Sequence, residues 1–242
     1  MVHFRPLLSC DSIYRLLMEH FGPQGWWPVT PYGSSSPRYF PGDYRKMNGR
    51  EQWEICVGAI LTQNTAWKNV EKALAALYDE GVMDVRGIMA VDNARLASSI
   101  RSSGYYNQKT VRLKNFAGYI MKTYNGRVSL LFDRPLKAVR EELLGLSGIG
   151  PETADSMLLY AGGKPVFVID AYTRRMGSRL GWTLGKRYEE AQLFFQRSLP
   201  RDTVIFNEYH ALIVALGKDY CAARPRCEQC PLRHGCRDGN KK

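Results

Sequence analysis

At 242 residues and 45% hydrophobic, the chain can bury a full core as one large domain or two small ones that share an interface, which excludes a disordered or fibrous protein. Lysine and arginine outnumber aspartate and glutamate by 34 to 23, and the formal charge of +11 favours a polyanionic partner such as nucleic acid over acidic metabolites. No run of about 18 apolar residues occurs, and the N-terminus MVHFRPLLSC lacks the apolar core of a signal peptide, so a cytosolic protein without a membrane partner is expected, nucleoid-associated if prokaryotic.

In chain order, residues 11–20 can form a helix. The stretch FGPQGWWPVTPYGSSSPRYFPGDYR, dense in Gly, Pro, Ser and aromatics, then predicts an ordered but irregular loop. From Trp53 the apolar positions Cys56, Val57, Ile60 and Leu61 have the spacing of an amphipathic helix buried on one face. Val70, Ala73, Leu74 and Leu77 repeat that period, Ile88, Leu96 and Ile100 follow it loosely, and Val111, Leu113, Phe116 and Ile120 mark a helix ending near YNGR. One short run, PVFVID, reads as β-like, and there is no internal repeat.

The helix marked by Leu136, Val139, Leu143 and Leu144 stops at Gly145, and LSGIGPETAD follows. Gly148 and Gly150 permit positive φ and close backbone approach, and Pro151 suits the first turn of a new helix. Helix, glycine hairpin and second helix together offer backbone N–H groups that can hold a phosphate without reading a base. Downstream, Asp170 ends the apolar run PVFVID. A partly desolvated carboxylate near a phosphate-binding turn is costly, so chemistry explains it better than packing does.

Near the C-terminus, Cys221, Cys227, Cys230 and Cys236 have the spacing C-x5-C-x2-C-x5-C. Four thiolates can hold a tetrahedral zinc or a 4Fe-4S cluster, and spacing alone does not choose. Cys10 and Cys56 stand apart and read as structural.

Residues 146–175, the upstream WEICVGAILTQNTAWKNVEKA and these cysteines together resemble the helix-hairpin-helix (HhH-GPD) DNA glycosylase superfamily whose type member is endonuclease III, over roughly residues 50–236. GWWP, LTQNTAW, SGYYNQK and GIGPETAD are most similar to its 3-methyladenine DNA glycosylase III (methylpurine glycosylase II) branch. The resemblance implies an all-α, endonuclease III-like two-domain fold. A six-helix domain would span 46–164, with the helix-hairpin-helix near 138–162. A discontinuous domain, 1–45 plus 165–242, would carry a 4Fe-4S loop at 221–236, with zinc as the alternative. The usual first cysteine gap in the superfamily is six residues, and here it is five.

The same resemblance implies a site and a monomeric enzyme acting on duplex DNA with a damaged base. Asp170 would be catalytic. Bifunctional members carry a Schiff-base lysine in the second helix of the hairpin, where this chain has Glu152, flanked by Pro151, Thr153, Ala154 and Asp155; a carboxylate cannot form that adduct, so a hydrolytic enzyme without lyase activity is expected. Trp26, Trp27, Pro28 and Trp67 would form the base pocket, their electron-rich faces attracting cationic alkylpurines such as 3-methyladenine and 7-methylguanine. Asn64 would fill the gap in the duplex, with Gln63 as the alternative, and Tyr105 would wedge the opposite strand beside Gly104. Gly148, Gly150, Thr153, Lys109, Arg112, Lys114, Arg174 and Arg175 are expected at or near phosphates. The competing readings are a glycosylase for damaged pyrimidines or mismatches, a catalytically silent iron–sulfur DNA-binding module, and a zinc-dependent binding protein.

Overall fold

The computed structural model describes residues 8–239. Its helices are α1 (Cys10–Phe21), α2 (Gly49–Leu61), α3 (Trp67–Asp79), α4 (Val85–Ala90), α5 (Asn93–Ser99), α6 (Tyr106–Tyr124), α7 (Val128–Phe132), α8 (Leu136–Leu144), α9 (Pro151–Ser156), α10 (Ala171–Leu180), α11 (Tyr188–Ser198) and α12 (Thr203–Asp219). Among the described residues the one β-type pairing is an isolated antiparallel bridge, Val29 to Arg38, so the fold is all-α. None of the described helices is long and apolar enough to cross a membrane. The chain divides into two compact units, Trp27–Lys164 and the described parts of Met1–Trp26 with Pro165–Lys242.

In Trp27–Lys164, α2 is the central element. The sequence predicts one buried face, yet every residue from Glu51 to Leu61 is buried, so neighbours close over the helix on all sides. Trp53 stacks on Phe116 of α6, with centroids 5.5 Å apart and planes within 4°. At Gly58 an added β-carbon would lie 3.0 Å from the Trp27 indole, so glycine there makes room for that ring. The first division falls after Trp26 rather than after residue 45, because the irregular loop is bonded to α2 and α3. Thr30 donates its N–H (2.9 Å) and hydroxyl (2.7 Å) to the buried Glu54 carboxylate, which also accepts from the Tyr78 hydroxyl at 2.6 Å. Arg50 lies over the rings of both Tyr32 and Tyr78 and donates to the Thr30 carbonyl at 2.6 Å.

The loose period from Ile88 to Ile100 resolves into two short helices, each started by a side-chain cap, Asp84 for α4 and Asp92 for α5. On α6, Leu113, Phe116 and Ile120 face inward as expected, whereas Val111 is 54% exposed. Lys109 joins the buried face, with consequences for the site.

The other unit contains α1 and α10–α12. PVFVID forms no strand, although Val166–Ile169 are buried. Side chains replace the missing ladder: Gln196 accepts from Phe167 N–H (3.1 Å), Gln192 donates to the Phe167 carbonyl (2.7 Å), and the Tyr188 hydroxyl accepts from Ile169 N–H (3.2 Å). Phe167 stacks on Phe195 at 4.3 Å, and this anchored segment delivers Asp170 to the start of α10.

Candidate functional site

The hairpin between α8 and α9 uses its two glycines differently. Gly148 has φ +87°, and a β-carbon there would lie 2.6 Å from the Arg112 side chain. Gly150 has φ −91°, so positive φ is not its reason; it is the N-cap of α9, and its β-carbon position meets nothing within 4 Å. Open approach to the helix start is therefore what Gly150 supplies. Pro151 begins α9, no side chain caps its first turn, and Glu152 there is exposed. Arg140 of α8 binds the fully buried Asp155 of α9 through two contacts, 2.7 and 3.1 Å, which clamps the two helices. Beyond α9 the chain continues as a buried π-turn, Met157–Ala161.

Asn64 and Tyr105 sit at the tips of two turns, and both have left-handed backbones (φ 53° and 46°) and exposed side chains. Such conformations cost about 1–3 kcal/mol each and persist only where surrounding structure imposes them. The surroundings are explicit. Gln63 donates to the Gly148 carbonyl and the Thr153 hydroxyl, both at 2.9 Å, and accepts from Arg112. The Thr65 hydroxyl bonds the Ser103 carbonyl, and Ser102 donates to the Asn69 carbonyl at 2.8 Å. Gln63 thus ties its turn to the hairpin, with Thr153 buried beneath it, while Asn64 is the exposed residue at the tip.

The expected phosphate-binding cations are each engaged by groups of the protein. Lys109 is fully buried, its ammonium donating to backbone carbonyls and a hydroxyl. Lys114 bonds the carbonyls of Met89 and Val91, Arg112 holds Gln63, and Arg175 donates to the Cys221 (2.6 Å) and Gly217 (3.3 Å) carbonyls while lying over Tyr172. Arg174, with a 3.2 Å bond to the Gly185 carbonyl and a half-buried side chain, keeps more of its donor capacity. Lone basic residues carry no sequence mark of direction, so only the structure shows that Lys109 is buried.

The aromatic residues also differ from a flat sandwich. Trp27 and Trp67 are buried and meet edge to face, with centroids 5.1 Å apart and planes at 86°, and Trp27 also packs on Tyr160. Perpendicular rings at that distance leave no slot for a base between them. Pro28 is buried as well. Trp26 belongs to the other unit, where it is half-buried with the Lys218 ammonium 5.8 Å from its ring centre.

Asp170 is the N-cap of α10 and its side chain is 11% exposed. One oxygen accepts from Thr173 twice, from N–H at 2.7 Å and from the hydroxyl at 2.8 Å, while the other lies 3.5 Å from His210 Nε2. Burial pushes the carboxyl up, but His210 and the two Thr173 bonds outweigh it and hold Asp170 below the ordinary aspartate range. His210, from the buried face of α12, is the site residue that sequence reasoning missed, since a single histidine in an apolar helix looks like packing.

The four clustered cysteines line one small cavity of about 30 Å³ together with Arg179 and Arg233. Burial pushes the Cys230 thiol up to about 11, and Cys221, Cys236 and Cys227 act in the same direction, as expected of four sulfurs brought close. Arg179 donates to Cys221 Sγ at 3.1 Å and to the carbonyls of Ala222 and Ala223. The soft, four-thiol donor set suits a 4Fe-4S cluster or zinc, although among the described residues no three ligating groups already converge as a metal site. Cys10 and Cys56 are buried elsewhere.

Residues 57–201 match the family model described as HhH-GPD superfamily base excision DNA repair protein. A Methanocaldococcus jannaschii protein, whose name as a DNA repair glycosylase is itself provisional, is 40% identical over 93% of this chain and 94% of its own. The structure of an H. pylori 3-methyladenine DNA glycosylase bound to 1,N6-ethenoadenine superposes with a TM-score of 0.69 at 27% identity, covering 87% of this chain and 98% of that one. A trapped endonuclease III–DNA covalent intermediate shares the fold, with a TM-score of 0.76 at 24% identity over 97% and 98% of the two chains.

Proposed function

The chain belongs to the HhH-GPD superfamily of base excision DNA repair proteins, and from that membership we propose that it is a monofunctional glycosylase, hydrolysing the N-glycosidic bond of alkylated purines in duplex DNA and leaving the abasic strand intact. The observation that carries the reading is Glu152, which stands in the first turn of α9 where lyase chemistry needs an amine. Asp170 supplies the remaining chemistry. Held ionised, it is a weak base but a strong stabiliser of the positive charge that develops on the sugar, so electrostatic stabilisation is its main role. A methylated purine leaves as a neutral base from a cationic one and needs no general acid.

The hairpin N–H groups would take a phosphate at the open Gly150 end, Asn64 would fill the space of the extruded nucleotide, and Tyr105 would wedge the opposite strand. Cys221, Cys227, Cys230 and Cys236 would hold a 4Fe-4S cluster, whose bonds to the thiolates would tie residues 221–236 into one loop. The protein would act as a cytosolic monomer. Alkylpurine preference is supported by the likeness to the 3-methyladenine enzyme. Burial of Trp27 and Trp67 favours the second reading, a glycosylase for damaged pyrimidines or mismatches.

Incubation with methylated duplex DNA, and in parallel with duplexes that carry oxidised pyrimidines or mismatches, tests both. Release of free 3-methyladenine or 7-methylguanine, with strand breaks only after alkali, is the expected result. Breaks without alkali would overturn the monofunctional assignment, and release only from oxidised pyrimidines or mismatches would select the second reading. Iron and sulfide at about four each per chain are expected; stoichiometric zinc without visible absorption would displace the cluster.

A further inference from the structure

Lys109 is among the largest fully buried side chains of the protein, yet it carries an ammonium group. That group has three donors and three neutral acceptors: the Leu61 carbonyl at 2.7 Å, the Ser103 carbonyl at 2.6 Å and the Thr65 hydroxyl at 3.2 Å. Leu61 is the last residue of α2, and Thr65 adjoins Asn64, so two acceptors belong to the turn that presents Asn64. Ser103 lies two residues before Tyr105, in the turn that presents the wedge. Asn64 and Tyr105, both exposed and left-handed, are therefore built on turns that meet at one buried cation, all within Trp27–Lys164.

We propose that Lys109 is a positioning residue that fixes the separation of Asn64 and Tyr105, so that both enter the duplex together when a base is extruded; this rests on the glycosylase function proposed above. An apolar side chain would fill the same volume without the cost of burying a charge, so packing alone does not account for lysine at this position. Burial, aided by Arg112, lowers Lys109 to about 8, and an amine that loses its proton has only two N–H groups for three acceptors. The ammonium form is the one that completes the brace.

Lys109→Met keeps the length of the stem and removes every donor. With the full chain, kcat/KM is measured on a methylated duplex and on the same methylated strand unpaired, where no base has to be pulled from a stack. The ratio of the two should fall about tenfold, and a 2-aminopurine beside the damaged base should lose its fluorescence rise on binding. Lys109→Met combined with Tyr105→Ala should be no worse than Tyr105→Ala alone, since both act through one step. An unchanged ratio, equal losses on both substrates, or additive effects would overturn the proposal. If Lys109→Met does not fold by circular dichroism, Thr65→Val removes one acceptor together with the bond to Ser103 and should lower the same ratio less steeply; no change there would also overturn it. Should Asn64→Ala and Tyr105→Ala both leave the ratio intact, duplex entry by these residues fails first and the proposal falls with it. Normal ratios for those two variants are thus distinguishable from a normal ratio for Lys109→Met alone.

Discussion

The turns around Lys109 and the surroundings of Asp170 solve opposite electrostatic problems. In Trp27–Lys164 a buried cation, met only by neutral acceptors, organises exposed residues that carry no charge. In the other unit a largely buried anion is held by the start of α10 and by His210. The first arrangement uses charge as scaffold and leaves contact to neutral side chains; the second keeps the charge itself for chemistry. A net charge of +11 therefore speaks to attraction of a polyanion, while the groups proposed to do the work are matched individually by short-range partners.

The contrast can be broken most forcefully at Asp170. Asp170→Asn should lower base release on the order of 10³-fold with affinity for abasic duplex retained, as read by chromatography and gel shift; a parallel loss of binding would make Asp170 a scaffold as well. Next comes the clamp between α8 and α9. Arg140→Ala removes both contacts to the buried Asp155 side chain and should cost about 3 kcal/mol in chemical denaturation, whereas an unchanged midpoint would mean that the clamp adds nothing to stability. Gly148→Ala forces a side chain into a left-handed turn against Arg112 and should cost about 1–2 kcal/mol, with weaker binding to undamaged duplex; Gly150→Ala, in open space at negative φ, should cost less in stability.

His210→Phe should have the smallest effect and sharpens the comparison most. Because Asp170 is depressed in the folded protein, its contribution to stability and activity is present above the ordinary aspartate range and is lost as pH falls through the folded value. Without His210 that value rises, so the acid limb of the kcat/KM profile should move to higher pH. An unmoved limb would leave Thr173 as the sole support of the ionised form.

Much of the fold was legible because helix periodicity and the glycine hairpin are local. The hairpin, Asp170 and the four cysteines were found from spacing of the same kind. Glycine showed where the backbone turns, but not that Gly148 needs positive φ while Gly150 needs open space, since that depends on Arg112 lying beside one and nothing beside the other. PVFVID has the composition of a strand, and only the structure shows side-chain amides of α11 meeting its backbone where a partner strand would.

By itself, then, the sequence marked a mostly helical chain, the glycine hairpin before α9, and an acid and a cysteine cluster that resemble the family's pattern, because these follow from interactions between near neighbours along the chain. Tertiary structure decided that α2 is buried on every side, that Trp27 and Trp67 meet edge to face, that His210 faces Asp170, and that Lys109 points inward. Each of those depends on where a side chain is aimed relative to residues distant in sequence, and burial of a cation or a ring is set by the acceptors and surfaces that the rest of the fold brings to it.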